Sequence, residues 1–167
     1  MMRPFVLACL TVLPFLADGA AAEEAAAAQC ALDQNDDTVR PYDPSLRAGL
    51  LKAYADLFPA AHMPPDERVV QAGTHIRCMD GRLLACFTGA NLPCDKMNTA
   101  RVNEGAEAFC RTNPNALVVP AFATGHDTTY VYRCVAQQAE ITGEAFSLDR
   151  RGFAAKLWTP IKTEHSQ

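Results

Sequence analysis

Between residues 44 and 58 the apolar positions Leu46, Leu50, Tyr54 and Leu57 recur every three or four residues. That spacing places them on one face of a helix. Asp43-Pro44 supplies an N-cap followed by proline at the first helical position, where a backbone N–H would have no partner anyway. Pro59 stops the run, and Pro64 and Pro65 make the next stretch, with His62 inside it, a rigid connector. From Thr74 the period falls to two. Thr74 to Met79 and Arg82 to Thr88 flank Asp80-Gly81, the kind of pair a type I′ turn selects because both central residues need positive φ. The turn sets Met79 opposite Arg82, Cys78 opposite Leu83 and His75 opposite Cys86. Side chains alternate faces along each strand, so Cys78 and Cys86 point to opposite sides of the hairpin. A bridge between them is disfavoured, and at least two bridges are expected to tie the hairpin to other elements.

Residues 89 to 94 (Gly-Ala-Asn-Leu-Pro-Cys) form a turn-rich loop. Asn98-Thr99 then caps a second helix that carries Val102, Ala106, Phe109 and Cys110 on one face until Asn113-Pro114 ends it, and this helix should pack on the sheet. Ala116 to Pro120 reads as a short apolar strand, and Gly125-His126-Asp127 as a loop feeding a strand over Thr128 to Val135. In that strand Tyr130, Tyr132 and Cys134 share one face, and Val131, Arg133 and Val135 share the other. Glu140 to Phe146 pairs with it, Asp149 to Gly152 makes a turn, and Phe153 to Trp158 is a closing strand or short helix. About two helices and about five strands, mostly local hairpins, predict an α+β domain with an antiparallel sheet of hairpins and about two packed helices.

The N-terminus sets the compartment. Met1-Met2-Arg3 is a basic start, Phe5 to Ala17 is an apolar run broken by Thr11 and Pro14, and Ala20-Ala21-Ala22 offers small residues for cleavage. A secretory signal peptide over 1–22, cut after Ala22, is expected, giving a periplasmic or secreted protein. The apolar run is about 13 residues, below the roughly 20 that cross a bilayer, so no membrane span is expected after cleavage. Val6-Leu7-Ala8-Cys9 is too close to the start for a lipobox. Residues 23–42 show no hydrophobic periodicity and read as a flexible arm held by Cys30, leaving 43–167 as a single domain. Asp33, Asn35 and Asp37 have the spacing of half a calcium loop, but Thr38 and Pro44 stand where glycine and glutamate are needed, so a solvated acidic loop is expected.

Charge and cysteine content narrow the function classes. The 167 residues, 49% hydrophobic and 20% charged, suit one packed domain. Fifteen Lys and Arg against nineteen Asp and Glu give a net charge of −4 with no dense basic cluster, which argues against nucleic acid as a partner. Of seven cysteines, Cys9 leaves with the signal peptide. Cys30, Cys78, Cys86, Cys94, Cys110 and Cys134 stay, an even set that in an oxidising compartment makes three disulfides of unspecified pairing. The spacings fit neither a zinc site, a c-type haem nor a thioredoxin-like centre, and neither a metal nor a cofactor is expected.

His126-Asp127 is the best catalytic-looking pair, with His126 a possible general base and Asp127 its orienting group. It lacks a nucleophile: Ser45, Ser147 and Ser166 lie outside any nucleophile motif, and Cys94 could serve only if unpaired. Glu104, Glu107, Asp80 and Asp127 are too dispersed to pair for glycoside cleavage. Arg77 and Arg82 share one face of the hairpin, with Arg133 on the later strand. These three either bind a carboxylate or phosphate through the guanidinium fork or decorate the solvent face, and the solvent face is the expectation.

The series Arg77-Cys78-Met79-Asp80-Gly81, Gly89 to Cys94, Gly125-His126-Asp127, Tyr132-Arg133-Cys134 and Arg151-Gly152-Phe153 resembles a group of small exported bacterial proteins of unassigned function, over residues 74–158. Tyr132-Arg133-Cys134 followed by a return strand is also similar to periplasmic inhibitors of C-type lysozyme. The expected function is a non-catalytic binding or inhibitor-like module that meets a protein or small ligand of the cell envelope through loops 89–94 and 123–128. Arg77, Arg82, Asn91, His126 and Arg133 are the candidate binding residues. The rivals are a small envelope hydrolase using His126 and an accessory subunit of an envelope assembly.

Overall fold

The computed structural model describes residues 19–60, 66–89 and 93–162. It is an α+β protein held by three disulfides. The segment expected to be a flexible arm is instead ordered: helix α1 (Gly19–Asp33) runs into strand β1 (Asn35–Pro41). Alanine dominates α1, and alanine combines the highest helix propensity with a side chain too small to mark a face, so the helix carries no periodic signal. Gln34, at φ 62°, ends the helix in the left-handed region, with its N–H donating to the Cys30 carbonyl at 2.9 Å. The acidic run is therefore divided between a helix end and a strand rather than forming one loop. Cys30 does anchor the segment, through a disulfide to Cys78.

The helix anticipated over 44–58 starts as a 3-10 turn (Pro44–Leu46) and continues as α2 (Arg47–Leu57). The Asp43 carboxylate accepts from the Ser45 N–H at 2.9 Å, and Leu46 and Leu50 are buried. His62, Pro64 and Pro65 lie outside the described residues. Helix α3 (Glu67–Gly73), capped by Asp66, was not anticipated, because seven residues are too few for a helical period to show.

Strands β2 (Thr74–Met79) and β3 (Arg82–Phe87) pair with Met79 opposite Arg82, Cys78 opposite Leu83 and His75 opposite Cys86, and Asp80 and Gly81 adopt φ of 55° and 69°. β1 and β6 (Thr159–Pro160) flank them in an antiparallel sheet of order β1-β2-β3-β6. Both faces of this hairpin are covered. Ile76, Ala85 and Phe87 turn toward Leu46, Leu50 and Ala53 of the helical layer and Val70 of α3. Leu84 and Cys86 turn the other way, against Phe153 and Trp158. Cys78 accordingly meets α1 on the first side, while Cys86 bridges to Cys94 on the second.

A second unit follows. Helix α4 (Glu104–Thr112) is capped by Asn103, whose side chain accepts from the Ala106 N–H at 2.9 Å. Asn98 was expected to be this cap. It instead accepts from Ala100 N–H and bridges in parallel to Thr128, so the helix starts later and Val102 stands exposed ahead of it. Helix α5 (Ala121–Thr124) precedes the hairpin of β4 (Tyr130–Val135) and β5 (Gln138–Glu144), a separate two-stranded sheet. Ala106 and Cys110 of α4 pack on Tyr132 and Cys134, and the Cys110–Cys134 disulfide fixes the contact. Residues 116–120, expected to be a strand, run beside β4 with two backbone bonds, Val119 N–H to Tyr132 and Cys134 N–H to Ala116, both 2.8 Å. That is too little pairing to make a strand. The closing segment forms a turn at 149–152, a 3-10 turn (Ala155–Leu157) and then β6.

Loop-closure entropy ranks the three bridges, whose sequence separations are 48 for Cys30–Cys78, 24 for Cys110–Cys134 and 8 for Cys86–Cys94. Replacing each pair with alanines should cost about 4, about 3.4 and about 2.5 kcal/mol respectively, measured by urea unfolding. A second expectation concerns acid. Thr38, through its hydroxyl and its N–H, and then Arg40 hold the Asp36 carboxyl down to about 2. A depressed carboxyl stabilises the fold above its unfolded pKa and ceases to as pH drops through the folded value. Stability should therefore fall between about pH 4 and pH 2. Thr38→Val should flatten that limb and raise the Asp36 carboxyl titration followed by carbon NMR.

Candidate functional site

Two cavities and one exposed apolar edge are the candidate sites. The first cavity, about 420 Å³, is lined by His75 of β2, Thr88, Pro93, Cys94, Asp95, His126 and Asp127. The Asn98–Thr128 bridge and the Cys86–Cys94 disulfide draw these two distant loops together. His126 and Asp127 are exposed at its rim, and His75 was not singled out from the sequence because a strand histidine opposite Cys86 looks like any pleat residue. Cys94 Sγ is consumed by its bridge to Cys86 and so cannot supply a thiolate. Ser45 donates to Asp43 at 2.8 Å as part of a helix cap. Among the described residues no set of three or more His, Cys, Asp or Glu side chains is placed to share a metal ion. Asn91 lies outside the described residues.

The second cavity, about 220 Å³, opens between the β2–β3 hairpin and the closing segment, and its lining includes Arg77, Arg82, Asp80, Asp149 and Trp158. Arg77 and Arg82 do share a face, but that face is not solvent. The closing segment covers it, and only 1% of Arg77 is exposed while Arg82 stays open at the rim. Arg77 is thus a buried residue and not the solvent-facing one expected from its strand. Its guanidinium carbon lies 4.1 Å from the Phe153 ring centre and 4.6 Å from that of Trp158, and Nη2 pairs with the Asp149 carboxylate. Asp149 is itself positioned by the turn: it accepts from the N–H groups of Arg151 at 2.8 Å and Phe153 at 3.1 Å. Arg77 Nε and Nη1, and Trp158 Nε1, are buried with no hydrogen-bond partner among the described residues. Donors left so are worth about 1–3 kcal/mol each to satisfy. Arg150 pairs with Asp80 of the lining, and Arg151 and Lys96 both pair with Asp37 of β1, at 2.8 and 3.1 Å. These contacts hold the Asp37 carboxyl below its ordinary range, Arg151 first. Arg133 is elsewhere: it pairs across the β4–β5 ladder with Glu140 at 2.9 Å, on an exposed face.

The exposed edge was invisible in the sequence. Ala116 and Val119 turn inward beside β4, which leaves Leu117 86% and Val118 61% exposed, and Phe122 on α5 is 81% exposed. Phe122 leans edge-on against Phe109, with centroids 6.2 Å apart. Asn103 Nδ2 donates to the Thr124 carbonyl at 2.7 Å, and the Ala123 carbonyl sits directly over Gly105, where an added Cβ would come within 1.8 Å of its oxygen. Thus α5 rests backbone to backbone on α4, and the edge runs straight into the Gly125-His126-Asp127 loop.

No family model, curated protein or solved structure matches the chain. Among the described residues no helix is long and apolar enough to cross a membrane.

Asp149→Ala tests how far the buried ion pair organises the second cavity. It leaves the Arg77 charge buried without its partner, and should cost about 3–5 kcal/mol in urea unfolding. The same change at Glu140, whose pair with Arg133 is half exposed, should cost under about 1 kcal/mol.

Proposed function

We propose that the chain is an exported, disulfide-stapled binding module that engages a protein of the bacterial envelope through the edge running from Leu117 to Asp127. The observation that carries this reading is the exposure of Leu117, Val118 and Phe122 on a segment whose backbone is fixed against β4 and α4. With the backbone already fixed, docking has only side chains to order, and an aromatic anchor ringed by polar groups is the usual core of a protein interface. His126 and Asp127 supply that polar rim. Export is supported by the basic start, the apolar run and the Ala20-Ala21-Ala22 site, together with three disulfides that need an oxidising compartment. Cleavage after Ala22 would leave Glu23 and Glu24 in the first turn of the shortened α1, where their charge complements the helix dipole. The engagement of Cys94 in a bridge weighs against the hydrolase alternative, and a partner-blocking role of the inhibitor type fits an exposed edge without a nucleophile.

A photo-crosslinking side chain placed at Phe122 in the exporting host, with Lys52 on α2 as the comparison position, tests this directly. A discrete adduct from 122 and none from 52 is expected. The purified protein should have a mass starting at Glu23 and six cysteines that alkylate only after reduction. Equal labelling from both positions, or a thiol free before reduction, overturns the reading.

A further inference from the structure

The cleft around Arg77 is separate from the partner-binding edge and has the chemistry of a small-molecule site. Its floor is a guanidinium that is almost wholly buried and yet uses one nitrogen for Asp149, leaving Nε and Nη1 without acceptors. Trp158 Nε1 adds a third buried donor. Every unsatisfied side-chain group there is a donor, so the missing component is an acceptor. The charges set its valence. Asp149 is balanced by Arg77 and Asp80 by Arg150, while Arg82 at the rim has no carboxylate partner among the described residues. One positive charge is therefore left to neutralise. A phosphomonoester, at about −1.5 to −2, would exceed it and face two carboxylates. The remaining wall is apolar, formed by Met79, Leu84 and Trp158, and suits a short hydrocarbon stem.

We propose that this cleft binds a monoanionic carboxylate on a short apolar stem, its oxygens accepting from the unpaired donors of Arg77 with Arg82 closing over the charge. A free short-chain acid and the C-terminal residue of a peptide share that chemistry.

Trp158 is the only tryptophan in the sequence, so the emission of the full exported protein reports on this cleft. Butyrate and N-acetylvaline, titrated at ionic strength held constant with sodium chloride, are the probes. A saturable emission change with butyrate alone assigns a free acid, and an equal or tighter response to N-acetylvaline assigns a peptide terminus. The matching carboxamides should produce no saturable change. Arg82→Gln, an exposed position where the fold should persist, is expected to weaken the apparent affinity about fivefold with the circular dichroism spectrum unchanged. The proposal is overturned by a linear or absent response to both acids, by carboxamides that saturate equally, by tighter saturation with inorganic phosphate, or by an Arg82→Gln protein of unaltered affinity.

Discussion

A full positive charge buried beneath the closing segment governs how the first half of this protein is put together. Arg77 sits mid-strand in β2, on the face opposite the helical layer, and a guanidinium there has to be neutralised and wrapped. The chain does both with one segment. The turn at 149–152 aims Asp149 at Nη2, and the residues just after it lay Phe153 and Trp158 on the guanidinium before β6 joins the sheet edge. Residues some 70 positions apart are thereby made interdependent: without Arg77 the closing segment would lose its anchor, and without that segment Leu84 and Cys86 would face water.

The disulfides follow the same two-sided logic. Because β2 and β3 are buried on both faces, each face needs its own cover, and a cysteine from each side of the pleat ties a further segment to that side. Cys78 holds α1, and Cys86 holds the start of the 93–98 loop, which reaches across to the second unit through the Asn98–Thr128 bridge. The second unit repeats the scheme on a smaller scale, with one helix, one hairpin and the Cys110–Cys134 staple between them. Neither a two-stranded sheet nor a nine-residue helix would be independently stable, so the covalent tie and the shared core around Tyr132 are what make the unit persist.

Legibility in the sequence tracked how local the deciding physics was. The β2–β3 register could be read because two turn residues with positive φ determine it, and α2 because Asp43, Pro44 and the leucine spacing agree. β4 was legible from alternation and a return strand was expected beside it, but that strand runs over Gln138–Glu144 rather than 140–146, because the turn uses Ala136 and Gln137 at φ 47° and 74°, residues that advertise no such conformation. Helix α1 was hidden because alanine promotes a helix without marking a face, and Asn98 was a plausible cap that lost to Asn103 five residues on. The site was far less legible. Alternation showed that Arg77 and Arg82 share a side, but nothing local says what covers that side. Likewise Ala116 to Pro120 reads as uniformly apolar, and only its single-sided contact with β4 leaves Leu117 and Val118 outward.

The contact of α5 with α4 has a consequence for how the proposed interface could change over time. Phe122 is oriented by two backbones in direct touch, since the Ala123 carbonyl occupies the space where any side chain at 105 would begin. A methyl group there would wedge the short helix outward and swing the aromatic ring and the loop behind it as one piece. Surface side chains along the edge can therefore be exchanged freely to suit a different partner, while the aim of the whole edge hangs on one hydrogen atom facing away from the partner's chemistry. Variation in what is recognised and constancy in where it is presented are thus assigned to different residues of the same short stretch of chain.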